Sequence, residues 1–201
     1  MPGSMNGATI SADLICLNYL YRQKAMQNAT LPSRFQSIRH FVFDIDGVLT
    51  DGSVWVLPDG EQMRRMSIKD GFALQLAKKA GFDILVISGS ARSSVETRLH
   101  KLGITDVHFS ISDKASFLIA RFQELGWDPS LTLYMGDDLP DLAALSLVGL
   151  PTCPHDAAPE LQSTAQYISP FTGGNGCVRD VIEQVLRANG KWKPEPGIAS
   201  R

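Results

Sequence analysis

The sequence predicts an α/β protein built on a Rossmann-like, doubly wound parallel sheet. Two observations support this fold class: short apolar, β-prone runs alternate with segments of helical spacing, and polar residues follow several of these runs. A length of 201 residues, with 44% hydrophobic and 20% charged residues, suits one globular domain with a short appendage. This composition excludes a disordered, collagen-like or coiled-coil protein.

Apolar patterning and turn residues mark the elements of the first part of the domain. Residues 41–43 form an apolar run that ends at Asp44, as expected for a buried parallel strand. Pro58-Asp59-Gly60 separates two β-prone segments and predicts a hairpin. The expected elements are a strand at 41–43, hairpin strands at 53–57 and 62–68, a helix at 72–79, and a second buried strand at 84–87.

The second part continues the alternation, so its strands are expected to extend one parallel sheet with helices on both faces. Gly103 and Gly126 each follow a segment of helical spacing and mark its end. The expected elements are helices at 93–102, 114–125, 139–147, 159–163 and 178–188, and strands at 107–109, 131–135 and 148–150.

Three regions are predicted along the chain: an N-terminal extension at 1–37, the α/β domain at 38–190 and a loose C-terminal tail at 191–201. Within the extension, residues 12–27 have helical spacing, and Leu31-Pro32-Ser33 is expected to break that helix. A disordered leader, or a later start at Met5 or Met26, is the alternative for this segment.

Charge and cysteine content limit the partners and the compartment. The net charge is −2, from 19 basic and 21 acidic residues, which gives no general attraction for nucleic acid. No apolar run reaches the roughly 18 residues of a membrane span. Cys16, Cys153 and Cys177 lack metal-ligand spacing and indicate reduced thiols. We therefore expect a cytoplasmic protein without nucleic-acid or membrane partners.

Polar residues at the predicted strand ends form the candidate site, because ligands of parallel sheets bind at the carboxyl ends of the strands. Asp44 and Asp46 follow the first strand, Ser88 follows the second, and Lys114 begins a helix after the third. Three carboxylates suit Mg²⁺, whereas a hydroxyl and an ammonium suit phosphoryl oxygens. One carboxylate could attack phosphorus while its neighbour transfers the proton. The fourth strand is followed by Asp137, Asp138 and Asp141.

These residues resemble the haloacid dehalogenase superfamily of phosphotransferases, whose signature is close to Asp44-Ile45-Asp46-Gly47-Val48-Leu49-Thr50. The resemblance covers roughly residues 38–190 and implies an α/β fold of that superfamily. More narrowly, the chain resembles the subfamily that dephosphorylates 3-deoxy-D-manno-octulosonate 8-phosphate in lipopolysaccharide precursor synthesis. The supporting stretches include Lys69-Asp70-Gly71, Leu102-Gly103-Ile104-Thr105, Ser112-Asp113-Lys114, Gly136-Asp137-Asp138-Leu139-Pro140-Asp141 and Gly173-Gly174-Asn175-Gly176.

The resemblance implies Mg²⁺ as cofactor and a role for each site residue. Asp44 is the implied nucleophile and metal ligand, and Asp46 the implied general acid/base that binds the metal through its carbonyl. Asp137 is the third implied protein ligand. Ser88 and Lys114 are implied to hold the phosphoryl oxygens, with Asp138 and Asp141 just outside the metal ligands.

Substrate contacts are also implied. They are Asp46, Ser67, Ile68, Lys69, Asp70, Gly71, Gln75, Ser90, Arg98 and Lys114, of which residues 67–71 are expected at the end of the hairpin.

The chain departs from the subfamily at three positions that are often basic there, namely Gln75, Ser90 and Asn175. These departures leave the identity of the sugar open. Arg64, Arg65 and Arg92 are near enough in sequence to compensate, although surface charges are the commoner role for such residues.

The spacing between motifs leaves no room for a lid domain. Asp44 and Ser88 are separated by 44 positions, which a hairpin and a helix fill, and 26 positions separate Ser88 from Lys114. The resemblance implies a homotetramer formed through the hairpin, with Val54–Val56 and Met63 among the candidate contacts. The loop at 172–176 could then approach a neighbouring site. Packing of the hairpin on its own domain, and a plain flexible turn at 172–176, are the alternatives.

Three other interpretations of the site are considered. Within the same enzyme class, the substrate could be a nine-carbon sugar-acid 9-phosphate. A receiver-type phosphoacceptor domain also combines acidic residues, a hydroxyl and a lysine, although its accepting aspartate ends a later strand. A non-catalytic assembly domain of similar fold would lack catalytic acids, which are all present here.

Overall fold

The computed structural model describes residues 30–193, which contain eight strands and seven α-helices. The strands are β1 (His40–Phe43), β2 (Trp55–Val56), β3 (Gln62–Met63), β4 (Asp83–Ile87), β5 (Val107–His108), β6 (Thr132–Met135), β7 (Leu150–Cys153) and β8 (Tyr167–Ile168). The helices are α1 (Leu31–Ser37), α2 (Ile68–Lys79), α3 (Ser94–Lys101), α4 (Lys114–Leu125), α5 (Leu142–Leu145), α6 (Pro159–Thr164) and α7 (Cys177–Ala188). Single 3₁₀ turns lie at Pro129–Leu131 and Leu139–Asp141.

Six strands form one parallel sheet in the order β5-β4-β1-β6-β7-β8, which confirms the predicted Rossmann-like fold class. The central strand β1 lies between β4 and β6, and Phe43 is in register with both Val86 and Met135. The carboxyl ends of these three strands therefore meet at one edge of the sheet, where the predicted polar residues follow them.

The core has two layers, one on each face of the sheet. Phe41 and Phe43 of β1 face a cluster that contains residues of α2, α3 and α7, whereas Val42 faces a cluster with residues of α4 and α5. This alternation is the two-residue periodicity of a strand that is buried on both faces. Among residues 30–193, none of the helices combines the length and the apolar character needed to cross a bilayer.

The predicted hairpin is present but shorter than expected. Its strands β2 and β3 pair Trp55 with Met63, and an isolated bridge joins Thr50 to Met66. The second strand does not extend to Ile68, because Ser67 caps α2 by accepting a hydrogen bond from the backbone N–H of Asp70. Residues 67–71 therefore form the start of a helix, not the end of the hairpin.

The segment Leu31-Pro32-Ser33 opens α1, with Pro32 in the first turn. Two other predictions were wrong in detail. The strand expected at 148–150 is β7, Leu150–Cys153, and the helix expected at 139–147 is a 3₁₀ turn followed by the short α5. The candidate helix at 12–27 and most of the predicted tail lie outside the described residues.

Candidate active site

The turn after β1 brings Asp44 and Asp137 to the same edge of the sheet. The backbone N–H of Asp44 donates to the carbonyl of Met135, which ties the end of β1 to β6 at 3.0 Å. Gly47 has a φ of +80°, and a Cβ atom at this position would lie only 1.8 Å from Oδ2 of Asp137. Only glycine can therefore occupy position 47 while Asp137 keeps its place.

Lys114, the first residue of α4, lies between two buried carboxylates. Its Nζ is 2.9 Å from Oδ1 of Asp44 and 2.6 Å from Oδ1 of Asp141. All three side chains are buried, so the ammonium is held by direct charge-assisted hydrogen bonds in a region of low dielectric. The fold thus unites residues that are 97 positions apart in sequence, from Asp44 to Asp141.

Asp141 is anchored from three sides. Besides Lys114, it accepts hydrogen bonds from the Tyr134 hydroxyl and, at 3.1 Å, from the backbone N–H of Asp137. These three donors occupy three of the roughly four acceptor sites of the Asp141 carboxylate, which leaves at most one site, on Oδ2, for a further ligand. Asp141 acts as a support that fixes Lys114 and the backbone at Asp137.

The electrostatics of the cluster favour an additional cation. Burial and the nearby charge of Asp141 raise the pKa of Asp44 to about 8, although Lys114 opposes this shift. Burial, with Asp141 and Asp138, raises the pKa of Asp137 to about 7. Burial disfavours the charged form of Lys114, but Asp44 and Asp141 prevail and raise its pKa. One ammonium does not compensate this many carboxylates.

The donor set fits a hard divalent cation. Asp44, Asp137 and Asp141 each offer a carboxylate oxygen, and these atoms lie within 4.8 Å of one another. Oxygen ligands of this kind suit Mg²⁺, and a divalent ion would offset both the burial and the repulsion that raise the two pKa values.

The side chain of Asp46 has different hydrogen-bond partners from that of Asp44. Its Oδ1 accepts a hydrogen bond from Nε of Arg64 at 2.5 Å, and its Oδ2 accepts one from Oγ of Ser90 at 2.6 Å. The side chain of Arg64 is only 7% exposed. Sequence reasoning treated Arg64 as a surface charge, and the residue was missed because only the folded hairpin brings it to Asp46.

Ser88 directly follows β4 and is buried. Its hydroxyl accepts a hydrogen bond from the backbone N–H of Ser90 at 3.0 Å. It belongs to a pocket of about 490 Å³ that contains eight of the predicted site residues. The pocket is lined by Asp44, Asp46, Gly52, Ser88, Gly89, Ser90, Ile111, Ser112, Lys114, Asp137, Asp138, Pro140 and Asp141.

The remaining predicted substrate contacts do not line this pocket. Asp70 is buried and accepts hydrogen bonds from the backbone N–H groups of Gly176 and Arg179, at the start of α7. Gly71 is also buried, next to Arg98, and Ile68 and Arg98 line a smaller pocket beside Arg64. Substrate contacts of Ser67, Ile68, Lys69, Asp70, Gly71, Gln75 and Arg98 therefore stay predictions.

A second pocket, of about 470 Å³, adjoins the first through Ser90. It lies between the hairpin turn and the loop that leads to α3. Its lining is mainly polar, with hydroxyl, amide, carboxylate and guanidinium groups. The lining residues are Gly60, Glu61, Gln62, Arg64, Ser90, Ala91, Arg92, Ser93 and Ser94.

The C-terminal loop at 172–176 packs directly on the turn after β1. The backbone N–H of Gly174 donates to the carbonyl of Val48 at 2.9 Å, and a Cβ atom at Gly173 would lie 2.0 Å from the carbonyl oxygen of Gly47. Asn175 accepts a hydrogen bond from Arg65, which also binds Asp51. Approach of this loop to a neighbouring site stays a prediction.

Comparison with known proteins adds to this geometry. No family model matches the chain. The chain is 32% identical over 170 residues to 3-deoxy-D-manno-octulosonate 8-phosphate phosphatase KdsC of Escherichia coli, covering 85% of this chain and 90% of the relative. The crystal structure of the corresponding Yersinia pestis phosphatase has a TM-score of 0.78 and 32% identity, covering 80% of this chain and 87% of that chain.

A second solved structure bears on the ligands. It is the Moraxella catarrhalis 3-deoxy-D-manno-octulosonate 8-phosphate phosphatase in complex with a magnesium ion, a phosphate ion and a KDO molecule. Its TM-score is 0.77 at 32% identity, and the match covers 80% of this chain and 92% of that chain.

The parallel sheet, with acidic residues after β1 and β6 that converge on the lysine of α4, defines a hydrolase of the haloacid dehalogenase superfamily. The match to named relatives extends over most of both chains. The chain belongs to the family of 3-deoxy-D-manno-octulosonate 8-phosphate phosphatases.

Proposed function

We propose that the chain hydrolyses 3-deoxy-D-manno-octulosonate 8-phosphate in a Mg²⁺-dependent reaction that proceeds through an aspartyl-phosphate. The observation that carries this proposal is the convergence of Asp44, Lys114 and Asp137 at one sheet edge. A chain that had lost catalysis and kept only an assembly role would not need to retain two carboxylates of raised pKa next to a buried ammonium. The named relatives support the choice of the eight-carbon sugar acid.

In this proposal Asp44 and Asp137 hold the magnesium ion through their carboxylates, and Asp46 holds it through its backbone carbonyl. Asp141 is left outside the ligands because its oxygens already accept three hydrogen bonds. When bound, Mg²⁺ offsets the repulsion between a carboxylate nucleophile and an anionic phosphate. Asp138 is exposed, and its carboxylate accepts a hydrogen bond from the backbone N–H of Leu139, which places it at the rim.

The protein groups then divide the chemistry. A carboxylate oxygen of Asp44 attacks phosphorus, the bond from phosphorus to the sugar oxygen breaks, and Asp46 gives its proton to that oxygen. In the second half, Asp46 takes a proton from water while the water oxygen attacks phosphorus and displaces Asp44. Ser88 and Lys114 hold the phosphoryl oxygens throughout.

The pocket of about 470 Å³ is the proposed location of the sugar body. It opens from the catalytic pocket at Ser90, and its serine hydroxyls and the Gln62 amide suit a polyhydroxylated ligand. Arg92 is 77% exposed at its edge, with Glu96 at 3.5 Å, and it could meet the sugar carboxylate. This location differs from the one expected at residues 67–71.

The assembly and compartment are part of the same proposal: a cytoplasmic homotetramer that associates through the hairpin. Trp55 and Val56 are 69% and 67% exposed, and Val54 and Met63 are also exposed. A patch of this kind on an arm next to the active site is typical of an interaction surface. A second copy on the hairpin would cover the entrance, which no lid domain in the described residues does.

The test is phosphate release by the purified protein from the eight-carbon and the nine-carbon sugar-acid phosphates, with Mg²⁺ or with EDTA. We expect Mg²⁺-dependent turnover of the eight-carbon substrate and a matching loss in an Asp44→Asn variant. Preference for the nine-carbon substrate would replace the sugar assignment only. A stable phosphoprotein without turnover would favour a receiver, and no reaction at all would favour an assembly domain.

A further inference from the structure

Both carboxylate oxygens of Asp46 are held by side chains from different parts of the fold. Nε of Arg64 donates to Oδ1 at 2.5 Å, and Oγ of Ser90 donates to Oδ2 at 2.6 Å. An aspartate has only two side-chain torsions, so two hydrogen bonds on opposite oxygens fix its orientation. Each oxygen keeps a second lone pair, which leaves the carboxyl able to carry a proton.

Arg64 is built into this position. Its side chain is 7% exposed, and the guanidinium also reaches Oε1 of Gln62 at 3.3 Å. Removing a guanidinium from water is costly unless a carboxylate compensates it, and Asp46 is the partner given by the geometry. The ion pair ties the hairpin to the turn after β1.

Arg65 provides an internal contrast, because adjacent residues of an extended segment point in opposite directions. It is 58% exposed and binds Asp51 and Asn175 instead. Two consecutive arginines therefore carry the same charge on the same arm, but only Arg64 contacts Asp46.

We propose that Arg64 is a positioning residue that holds the Asp46 carboxyl in line with the leaving oxygen of the substrate. This inference rests on the proposed function, since Arg64 acts only through the proton transfer assigned to Asp46. Proton transfer in a transition state depends on orientation, so a loosely held carboxyl would lower kcat more than it raises KM.

The experiment compares two substrates that differ in leaving group. A sugar alkoxide needs a proton as it leaves, whereas the p-nitrophenolate released from p-nitrophenyl phosphate does not. For Arg64→Gln we expect kcat on the sugar phosphate to fall about 10- to 100-fold, with KM little changed. The pre-steady-state burst rate with p-nitrophenyl phosphate should stay within about threefold of wild type.

Arg64→Lys and Arg65→Gln complete the series. Lysine keeps the positive charge and a hydrogen-bond donor but lacks the planar guanidinium group, so Arg64→Lys should recover part of the lost kcat. This variant also tests the role of Arg64 if Arg64→Gln proves unstable. Arg65→Gln should match wild type on both substrates. Melting temperatures of all variants identify any general loss of structure.

The two proposals fail in different ways. The positioning role alone would be overturned if Arg64→Gln lost activity equally on both substrates. It would also be overturned if Arg64→Gln kept the wild-type kcat while Asp46→Asn was inactive. If Asp46→Asn itself turned over the sugar phosphate normally, the proton-transfer assignment and the role of Arg64 would both be refuted.

Discussion

The Nζ of Lys114 lies 2.6 Å from Oδ1 of Asp141, closer than its 2.9 Å approach to Oδ1 of Asp44. The residue that we expect to meet the phosphate is therefore held by a carboxylate that is itself fixed by Tyr134 and by the backbone of Asp137. One buried support thus maintains both the lysine and the acidic turn after β6.

Removing this support should destabilise the protein. Asp141→Ala leaves the Lys114 ammonium, the Tyr134 hydroxyl and the Asp137 N–H without a shared acceptor, and we expect a loss of about 3–5 kcal/mol. Denaturant unfolding measures the loss. Asp138→Ala is the matched control: Asp138 is exposed and accepts one N–H, so its loss should cost about 1 kcal/mol. Similar losses in both variants would contradict a supporting role for Asp141.

Stability without Mg²⁺ should fall as pH rises. The folded-state pKa values of Asp44 and Asp137, about 8 and about 7, lie above the ordinary value of 3.8. A group whose pKa is raised by folding stabilises the folded chain, and this contribution is complete below the pKa that the group has in the unfolded chain. The contribution is lost as the pH rises through the pKa that the group has in the folded chain. Mg²⁺ requires the deprotonated carboxylates, so it should offset the loss.

The corresponding measurement is the melting temperature in EDTA and in Mg²⁺ at pH 5.5 and at pH 8.5. We expect Mg²⁺ to raise the melting temperature more at pH 8.5 than at pH 5.5. In Asp137→Asn, the effect of Mg²⁺ on the melting temperature should differ less between the two pH values. An increase that does not depend on pH would show that these carboxylates do not control metal binding.

Asp70 should matter for stability more than for substrate binding. Its buried carboxylate accepts the backbone N–H groups of Gly176 and Arg179, so Asp70→Ala leaves the start of α7 without its cap. We expect a loss of about 1–3 kcal/mol, measured by thermal or urea unfolding, with KM little changed. Lys69→Ala, an exposed change one position earlier, is the control for stability. A raised KM at unchanged stability would instead support the substrate contact implied by the family resemblance.

The hairpin surface provides a test of assembly. Trp55→Lys places a charge on the exposed patch, and we expect the oligomer to dissociate, as measured by light scattering after size-exclusion chromatography. Ile119→Lys is the control, because Ile119 is a 48% exposed apolar residue on α4, away from the hairpin. A wild-type chain that elutes as a monomer would contradict the proposed tetramer directly.

The sheet could be predicted from the sequence because its strands are buried on both faces. The run at Phe41–Phe43 needs no long-range information to be identified as such a strand, and the polar residues after β1, β4 and β6 then follow from parallel topology. A short-range signal was available for α2 but was not used. Ser67 followed by Asp70 has the spacing of a helix N-cap, which would have placed the start of the helix at Ile68.

Other features depend on contacts that no local pattern contains. Strand β7 includes Pro151 and begins after Gly149, whose N–H donates to Pro129, so the apolar run at 148–150 was misleading. Likewise, nothing in the sequence near Arg64 distinguishes it from Arg65. Only the pairing of β2 with β3 determines which of the two arginines reaches Asp46.

The contact between Gly173 and Gly47 has a consequence for biosynthesis. The loop at 172–176 packs on the backbone of the turn that carries Asp44 and Asp46, so we expect this turn to reach its final conformation only after residue 173 has left the ribosome. Nascent chains and fragments from truncated messages should therefore be inactive, even when they contain every catalytic side chain. Hydrolysis would begin only once the loop at 172–176 is free to pack on that turn.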